Sequence, residues 1–158
     1  MTNRSPQNVG FGRFFYTLVS LSGDDMRRVA QRNFEKGDCG LACVAMIAGR
    51  SYEDVHVEAK KLGLQSAEGE YFTRHKQLQK LLQRFGVDSK IRKFKSMRKV
   101  RPRSIVAVNP SRDGLYWHWV VITSSPSGVA LLDPKPGKTA PIECFRGYKG
   151  VGMYVHAE

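Results

Sequence analysis

The sequence predicts an α+β fold in which N-terminal helices pack on a C-terminal antiparallel sheet. Apolar residues recur at helical spacing up to Gly86, whereas short runs of β-branched and aromatic residues follow it. Because the helices precede the strands instead of alternating with them, the sheet is expected to be antiparallel. The length of 158 residues favours a single domain, assigned to residues 29–158, after a segment 1–28 of unknown role.

Capping signals and periodicity predict three helices. The first runs from Cys39 to Ala48, with Asp38 as its N-cap. The second starts after Ser51, which opens a capping-box-like sequence, and covers residues 52 to about 62. Thr73 is the expected cap of the third helix, whose apolar residues recur three and four positions apart, at Leu78, Leu81, Leu82 and Phe85.

Four short runs after the helices are predicted to be strands, at residues 104–109, 116–123, 129–133 and 151–156. The sequence Ser-Ser-Pro-Ser-Gly that separates the second run from the third is typical of a hairpin loop. If the turn centres on Pro126, the register brings Thr123 opposite Val129. The second and third strands are therefore expected to be antiparallel neighbours.

The chain carries a formal charge of +12, and almost all of the excess lies in residues 72–103, which hold twelve Lys and Arg against one acid. One interpretation is a solvated helix face followed by a basic loop. The other is an anion-binding surface for RNA, DNA or an acidic protein such as an inhibitor. The residues expected to form that surface are Lys90, Arg92, Lys93, Lys95, Arg98, Lys99, Arg101 and Arg103.

Several functional classes receive no support from the sequence. No apolar run approaches the roughly 18 residues of a membrane span, and residues 14–21 are predicted to form an N-terminal strand or docked segment rather than an export signal. Three cysteines are too few for a disulfide framework, which favours the cytoplasm, with a delivered or exported effector as the alternative. Zinc-binding and nucleotide-binding motifs are absent, so no metal or cofactor is expected.

Cys39 is the candidate nucleophile. It directly follows the cap of the first helix, where the backbone amides create a positive field that stabilises a thiolate. Gly40 beside it removes a side chain that could block access. The alternative for Cys39 is a buried structural cysteine, and structural roles are predicted for Cys43 and Cys144.

His118 is the candidate base, because a nucleophilic cysteine needs one and the other three histidines lie in polar surroundings or near the C-terminus. It interrupts an otherwise apolar and aromatic strand, so its imidazole needs a polar partner. The hairpin register brings His118 opposite a position near Pro134, within one residue of Asp133. Asp133 could hold one ring nitrogen and leave the other for Cys39. A core histidine with satisfied hydrogen bonds is the alternative.

These residues together resemble the C39 peptidases, the papain-like domains that trim double-glycine leader peptides on bacteriocin exporters. The family typically shows Asp-Cys-Gly-x-Ala-x-x-x-Met, which is found here at residues 38–46. A His-aromatic-Val-Val strand and an Asp-Pro pair follow in the family, and correspond here to residues 118–121 and 133–134. The resemblance covers residues 29 to about 137, most of the chain.

The resemblance implies that Cys39 is the nucleophile, His118 the general base and acid, and Asp133 the carboxylate that orients it. It also implies a glutamine in the oxyanion hole, usually six residues before the cysteine. Gln31 lies eight residues before it, and Asn33 occupies the six-residue position. Gln31 is favoured because a longer intervening loop would bring it into the site, and Asn33 is the alternative.

The resulting hypothesis is a free-standing, papain-like cysteine peptidase that acts on a peptide or protein through a thioester acyl-enzyme, without a cofactor. The exporter peptidases are fused to membrane and ATPase domains, and this sequence shows neither. Two alternatives remain open at this point. One is an RNase-like, nucleic-acid-directed toxin on the same scaffold, and the other is a catalytically silent binding module.

Overall fold

The computed structural model describes residues 26–138 and 141–158 and contains three α-helices followed by five β-strands in those ranges. The helices are α1 (Cys39–Ala48), α2 (Tyr52–Lys61) and α3 (His75–Arg84). The strands are β1 (Ser89–Lys93), β2 (Ser104–Val108), β3 (His118–Ser125), β4 (Gly128–Leu132) and β5 (Gly150–Ala157). Residues 14–21, for which a strand was expected, lie outside the described residues.

The five strands form one antiparallel sheet in the order β1-β5-β2-β3-β4. The last strand in the chain, β5, lies between β1 and β2, so the C-terminal residues complete the interior of the sheet. Helices that precede an antiparallel sheet confirm the predicted α+β class. The helices and the four predicted strands agree with the sequence patterns to within two residues at each end.

The helices cover one face of the sheet, and α1 lies in the centre of this layer. It is buried from Cys39 to Ile47 and packs against α2, α3 and β3. Helix α3 adds Leu78, Leu81 and Leu82, each fully buried and each worth about 1.5–3 kcal/mol in apolar burial. This packing fixes the N-terminus of α1 beside β3, which begins at His118.

The opposite face of the sheet carries a second apolar cluster. The short helical turn at Met97–Lys99 and the segment around Phe145 and Tyr148 pack over it. The buried members of this cluster are Met97, Val100, Val106, Val108, Val120, Ile122, Leu131 and Tyr154. The sheet is therefore covered on both faces along β2, β3 and β4.

Two local predictions about helix starts have different outcomes. Ser51 caps α2 as expected, since its hydroxyl accepts a hydrogen bond from the Asp54 N–H at 3.1 Å. Thr73 does not cap α3, because the N-cap is Arg74 and its backbone N–H donates to Gln77 Oε1 at 2.7 Å. The carbonyl of Thr73 instead accepts a hydrogen bond from Trp119 Nε1 at 3.1 Å, which ties the start of α3 to the sheet.

Two predictions about the strands need correction. Strand β1 was missed, because its sequence SKIRK contains a single apolar residue and lies inside the basic segment. The hairpin register is also off by one residue, since Thr123 pairs with Ala130 and not with Val129. The reason is that Ser125 pairs with Gly128 across a two-residue turn, which moves the centre of the turn by half a residue.

Candidate active site

The fold brings Cys39, His118 and Asp133 together. Cys39 begins α1, His118 begins β3, and Asp133 directly follows β4, the hairpin partner of β3. His118 Nε2 lies 2.7 Å from Asp133 Oδ1, and the side chains of the two residues are only 18% and 3% exposed. Cys39 is near enough to the same ring to raise the pKa of its imidazole. Since Nε2 is engaged by Asp133, Nδ1 is the nitrogen available to Cys39.

Electrostatics at this cluster favour a charged histidine. Burial lowers the pKa of His118, but the hydrogen bonds with Asp133 and Cys39 outweigh it and raise that pKa to about 9. Burial likewise raises the pKa of Asp133, yet hydrogen bonds from His118, from the Lys135 N–H and from Tyr148 lower it to about 2. The two residues therefore form an imidazolium–carboxylate pair at neutral pH.

The Asp133 carboxylate is held by more than the histidine. Tyr148 donates its phenol to Oδ2 at 2.7 Å, and the Lys135 N–H donates to Oδ1 at 2.9 Å. The guanidinium of Arg28 donates to the backbone carbonyls of Asp133 and Lys135, both at 2.6 Å. These contacts fix the loop after β4, so the orientation of His118 is set by a rigid partner. No local pattern in the sequence pointed to Tyr148 or Arg28.

Asp38 plays a different part from the one predicted. It occupies the N-cap position of α1, but its side chain makes no capping hydrogen bond. The fully buried carboxylate turns back and accepts hydrogen bonds from the Arg32 and Asn33 N–H groups, both at 2.8 Å, and from the Tyr52 hydroxyl at 2.7 Å. It therefore organises the loop before α1 and leaves the first amides of the helix free to face the site.

The same carboxylate contacts Gln31, one of the two candidates for the oxyanion hole. Gln31 is 4% exposed and its Nε2 donates to Asp38 Oδ1 at 3.1 Å, while its Oε1 is buried without a hydrogen-bond partner. The backbone N–H of Gln31 donates to the carbonyl of Pro134 at 2.9 Å, next to Asp133. Asn33, the other candidate, is exposed.

The three cysteines are free thiols. Cys43 lies fully buried one turn after Cys39, and burial, followed by the neighbouring Cys39 and Asp133, raises its pKa well above the ordinary value. Such a thiol is a poor nucleophile, since the thiolate is the reactive form. Cys144 is exposed, which does not fit the structural role predicted for it.

Gly40 is required for packing rather than for access. A Cβ at this position would overlap Thr73 Oγ1 and would crowd Leu78 and Trp119. Thr73 itself is 3% exposed, and its hydroxyl has no hydrogen-bond partner. Because Gly40 has no side chain, the Thr73 hydroxyl can pack directly against the N-terminus of α1.

A narrow cleft opens beside Cys39. Its walls are largely aromatic, and Phe72 and Tyr116 face each other with ring centroids 4.8 Å apart. The exposed fractions of these two side chains are 42% and 50%, so apolar surface remains open to a ligand. The residues that line the cleft with Cys39 are Gly37, Phe72, Thr73, Arg74, Leu115, Tyr116, Trp117 and Trp119. Of these residues, only Cys39 was predicted from the sequence to belong to a functional site.

Three further properties of the described residues concern metal binding, membrane-spanning helices and the candidate anion-binding residues. Within residues 26–138 and 141–158, no group of three or more His, Cys, Asp or Glu residues could hold a metal ion. In the same part of the chain, every helix is too short or too polar to cross a membrane. The candidate anion-binding residues begin at β1, at the opposite edge of the sheet from β4, and do not line the cleft.

Three helices packed on a five-stranded antiparallel sheet, with a cysteine at the start of the central helix, match the papain-like class of α+β domains. A family model described as Peptidase C39 matches residues 27–146, and the chain belongs to that family of cysteine peptidases. Among solved structures, the chain is similar to a double glycine motif protease from an AMS/PCAT transporter, in complex with the leader peptide. The identity is 19%, the TM-score is 0.52, and the match covers 84% of this chain and 94% of that one. No curated protein matches the chain.

Proposed function

We propose that the protein is a cysteine peptidase in which Cys39 is the nucleophile, His118 the general acid and base, and Asp133 the orienting group. The observation that carries the proposal is the position of the His118 ring, which lies 2.7 Å from Asp133 and near enough to Cys39 for that thiol to raise its pKa. Family membership supports the same assignment. A metal or cofactor has no part in this mechanism.

In the proposed reaction, the Cys39 thiolate attacks the carbonyl carbon of the scissile peptide bond, and the carbonyl π electrons move to oxygen. The tetrahedral intermediate collapses, the C–N bond breaks, and the His118 imidazolium gives its proton to the leaving amine. This leaves a thioester on Cys39 and a neutral imidazole. His118 then takes a proton from water, which attacks the thioester and releases the carboxylic acid and the thiolate.

The developing oxyanion needs donors, and we assign them to the backbone N–H of Cys39 and the side-chain amide of Gln31. One amide hydrogen of Gln31 is directed to Asp38, so the second is available to a ligand. Burial of Gln31 and its backbone bond to Pro134 support this choice over Asn33, which is exposed. Pre-positioned donors of this kind contribute about 2.7–4 kcal/mol to transition-state stabilisation.

The substrate is proposed to be a peptide that enters the cleft in an extended conformation. The close approach of Phe72 to Gly37 leaves little room for large side chains next to Cys39. Small residues on the acyl side of the scissile bond fit this space, and a double-glycine leader peptide like that of the structural relative is the first candidate. The unpaired Thr73 hydroxyl is in position to donate to a substrate carbonyl.

We assign the catalytic domain to residues 29–158. The family match ends at residue 146, but β5 follows it and pairs with both β1 and β2 inside the sheet. Tyr148, which contacts Asp133, also lies beyond the matched residues. The C-terminal segment is thus part of the same folding unit.

The cytoplasmic location, the RNase-like activity and the silent binding module stay predictions.

The proposal is tested by incubating the full chain with a synthetic leader peptide that contains a Gly-Gly site and following the products by mass spectrometry. Cleavage after the second glycine is expected with the wild type and loss of cleavage with Cys39→Ala. Cys144→Ala is the matched control, since this exposed thiol lies outside the cleft. Equal cleavage by wild type and Cys39→Ala would end the proposal.

A further inference from the structure

A basic cluster lies on the face of the sheet that is turned away from the helices, at the edge formed by β1. Tyr154 of β5 belongs to the apolar cluster on that outer face, and His156, two residues later, points the same way. In β1, Arg92 pairs with Tyr154 and Lys90 pairs with His156, so both basic residues share the outer face. Ser104 of β2 pairs with His156 from the other side.

Three arginines from two different elements are near enough to His156 for their charges to act on its imidazole. Arg92 comes from β1, whereas Arg101 and Arg103 come from the segment that enters β2. Burial lowers the pKa of His156, and the charges of these three arginines lower it further against an opposing effect of Glu158. The imidazole is also fixed, because its Nδ1 lies 3.1 Å from Ser104 Oγ.

The backbone holds Arg103 in an unusual conformation. Its φ is 63°, in the left-handed region that a β-carbon disfavours. Its N–H donates to the carbonyl of Ile122 at 2.8 Å, and its carbonyl accepts from the Ala157 N–H at 2.9 Å. These bonds to both neighbouring strands keep the arginine beside the others despite the strain.

None of Arg92, Arg101 and Arg103 forms a salt bridge with a carboxylate among the described residues. The salt bridge on this surface joins Lys90 to Glu158 at 2.8 Å, and the charge of Arg92 also acts on the Glu158 carboxylate. Arg92 Nε is buried and has no hydrogen-bond partner. Glu158 offsets a single charge of this cluster, so an excess of positive charge remains and an anion that bridges the arginines would be bound favourably.

We propose that Arg92, Arg101, Arg103 and His156 form a phosphate-binding site that holds the sugar–phosphate backbone of a nucleic acid. Guanidinium groups match phosphate oxygens with paired hydrogen bonds, which a lysine cannot reproduce. The segment that follows β1 adds exposed cations beside the same outer-face cluster, so that several successive phosphates could be bound: Lys95, Arg98 and Lys99.

The composition of this surface favours a nucleic acid over an acidic protein. Stable protein interfaces have an apolar or aromatic centre, whereas nucleic-acid interfaces are polar and strongly basic. Large exposed hydrophobic side chains in the described residues lie elsewhere, for example at Phe72 and Leu115 beside the cleft. The site is also separate from the peptidase cleft, whose lining includes none of its four residues.

The first test is fluorescence anisotropy with a labelled 20-nucleotide RNA at several salt concentrations. The triple variant Arg92→Gln, Arg101→Gln, Arg103→Gln is expected to bind at least tenfold more weakly than wild type and to reduce the salt slope by about 2. The control triple variant Arg50→Gln, Lys60→Gln, Arg112→Gln loses the same charge from exposed positions elsewhere. Equal weakening by both triples, or no binding by the wild type, would overturn the site.

The second test uses His156 as a reporter in NMR titrations. RNA and inorganic phosphate are each expected to raise the pKa of His156 and leave the ring signals of His56 in place, with RNA acting at far lower concentration because it bridges several cations. A poly-glutamate peptide that binds as tightly as RNA would overturn the nucleic-acid assignment. Both triple variants should retain wild-type cleavage of the Gly-Gly peptide, which separates this inference from the proposed peptidase function.

Discussion

Tyr148 donates a 2.7 Å hydrogen bond to Asp133 Oδ2, the carboxylate oxygen opposite the one that engages His118. The two hydrogen bonds engage both oxygens of the carboxylate, and the Lys135 N–H donates a third hydrogen bond to Oδ1 at 2.9 Å. Burial and the Asp133 contact together raise the pKa of Tyr148, so the phenol stays a donor across the working pH range. Tyr148 thus positions the residue that orients the histidine.

Replacement of Tyr148 by Phe should lower kcat/KM about tenfold. The hydrogen bond to a charged acceptor is worth about 1.5–3 kcal/mol, and 1.4 kcal/mol corresponds to a factor of ten in rate. The loss of this donor also raises the pKa of Asp133, so activity should begin to fall at a higher pH on the acid side. Steady-state kinetics between pH 3 and pH 7 would measure both effects.

Tyr154→Phe is the control, since its phenol makes no hydrogen bond within the described residues. Identical profiles for the two variants would contradict the positioning role.

The alkaline limit of activity should depend on Asp133. Burial lowers the pKa of His118, but the contacts with Asp133 and Cys39 raise it to about 9, so the imidazolium persists until the pH rises through that value. Asp133→Asn removes the carboxylate, and the alkaline limb of kcat/KM is expected to move to lower pH. The stability that the raised pKa of His118 contributes should follow the same sign, present in full below pH 6.5 and lost as the pH rises through about 9. An alkaline limb at the same pH in wild type and Asp133→Asn would refute this coupling.

The two oxyanion candidates are separated by a pair of matched variants. Gln31→Ala should lower kcat by about 10²–10³-fold, the usual cost of removing one oxyanion donor. Asn33→Ala should leave kcat within about twofold, because Asn33 is exposed and surface substitutions seldom matter. Single-turnover cleavage of the Gly-Gly peptide measures the chemical step for both. The reverse ranking would place Asn33 in the oxyanion hole.

The contact between Gly40 and Thr73 predicts a non-additive effect on stability. Gly40→Ala should destabilise the fold by about 1–3 kcal/mol despite the better helix propensity of alanine, because the new methyl group overlaps Thr73 Oγ1. Thr73→Ala opens the space, so the double variant should be more stable than the sum of the single effects. Urea unfolding of the four proteins completes the cycle. Additive free energies of unfolding would show that the overlap is relieved elsewhere.

Much of the site could be predicted from the sequence because its determinants are local. The cysteine at a helix start and the histidine in an apolar strand each stand out in a short window, and the hairpin turn connects His118 to Asp133 within one residue. The one-residue error in the predicted register of the hairpin did not change the predicted partner of His118, because the turn keeps Asp133 close to it. Asp133 lies just beyond β4, and its contact with the ring falls within the one-residue margin that the predicted register allowed.

The remaining features depend on contacts between distant parts of the chain. Tyr148 reaches Asp133 from the loop before β5, and Arg28 reaches the same loop across more than a hundred residues. Asp38 fits the N-cap pattern, but four donors from the preceding loop and α2 compete for its carboxylate. Strand β1 was hidden because pairing with β5, rather than its own basic sequence, makes it a strand.

The most direct test of the central claim is the rate at which iodoacetamide alkylates Cys39 at pH 6, measured by peptide mapping in wild type and His118→Ala. Cys144 is an exposed free thiol in the same molecule and serves as the internal control. If Cys39 and His118 form a thiolate–imidazolium pair, Cys39 should react faster than Cys144 in the wild type and lose that advantage in His118→Ala, whereas Cys144 reacts equally in both. A Cys39 rate that does not change on removal of His118 would contradict the proposed pair.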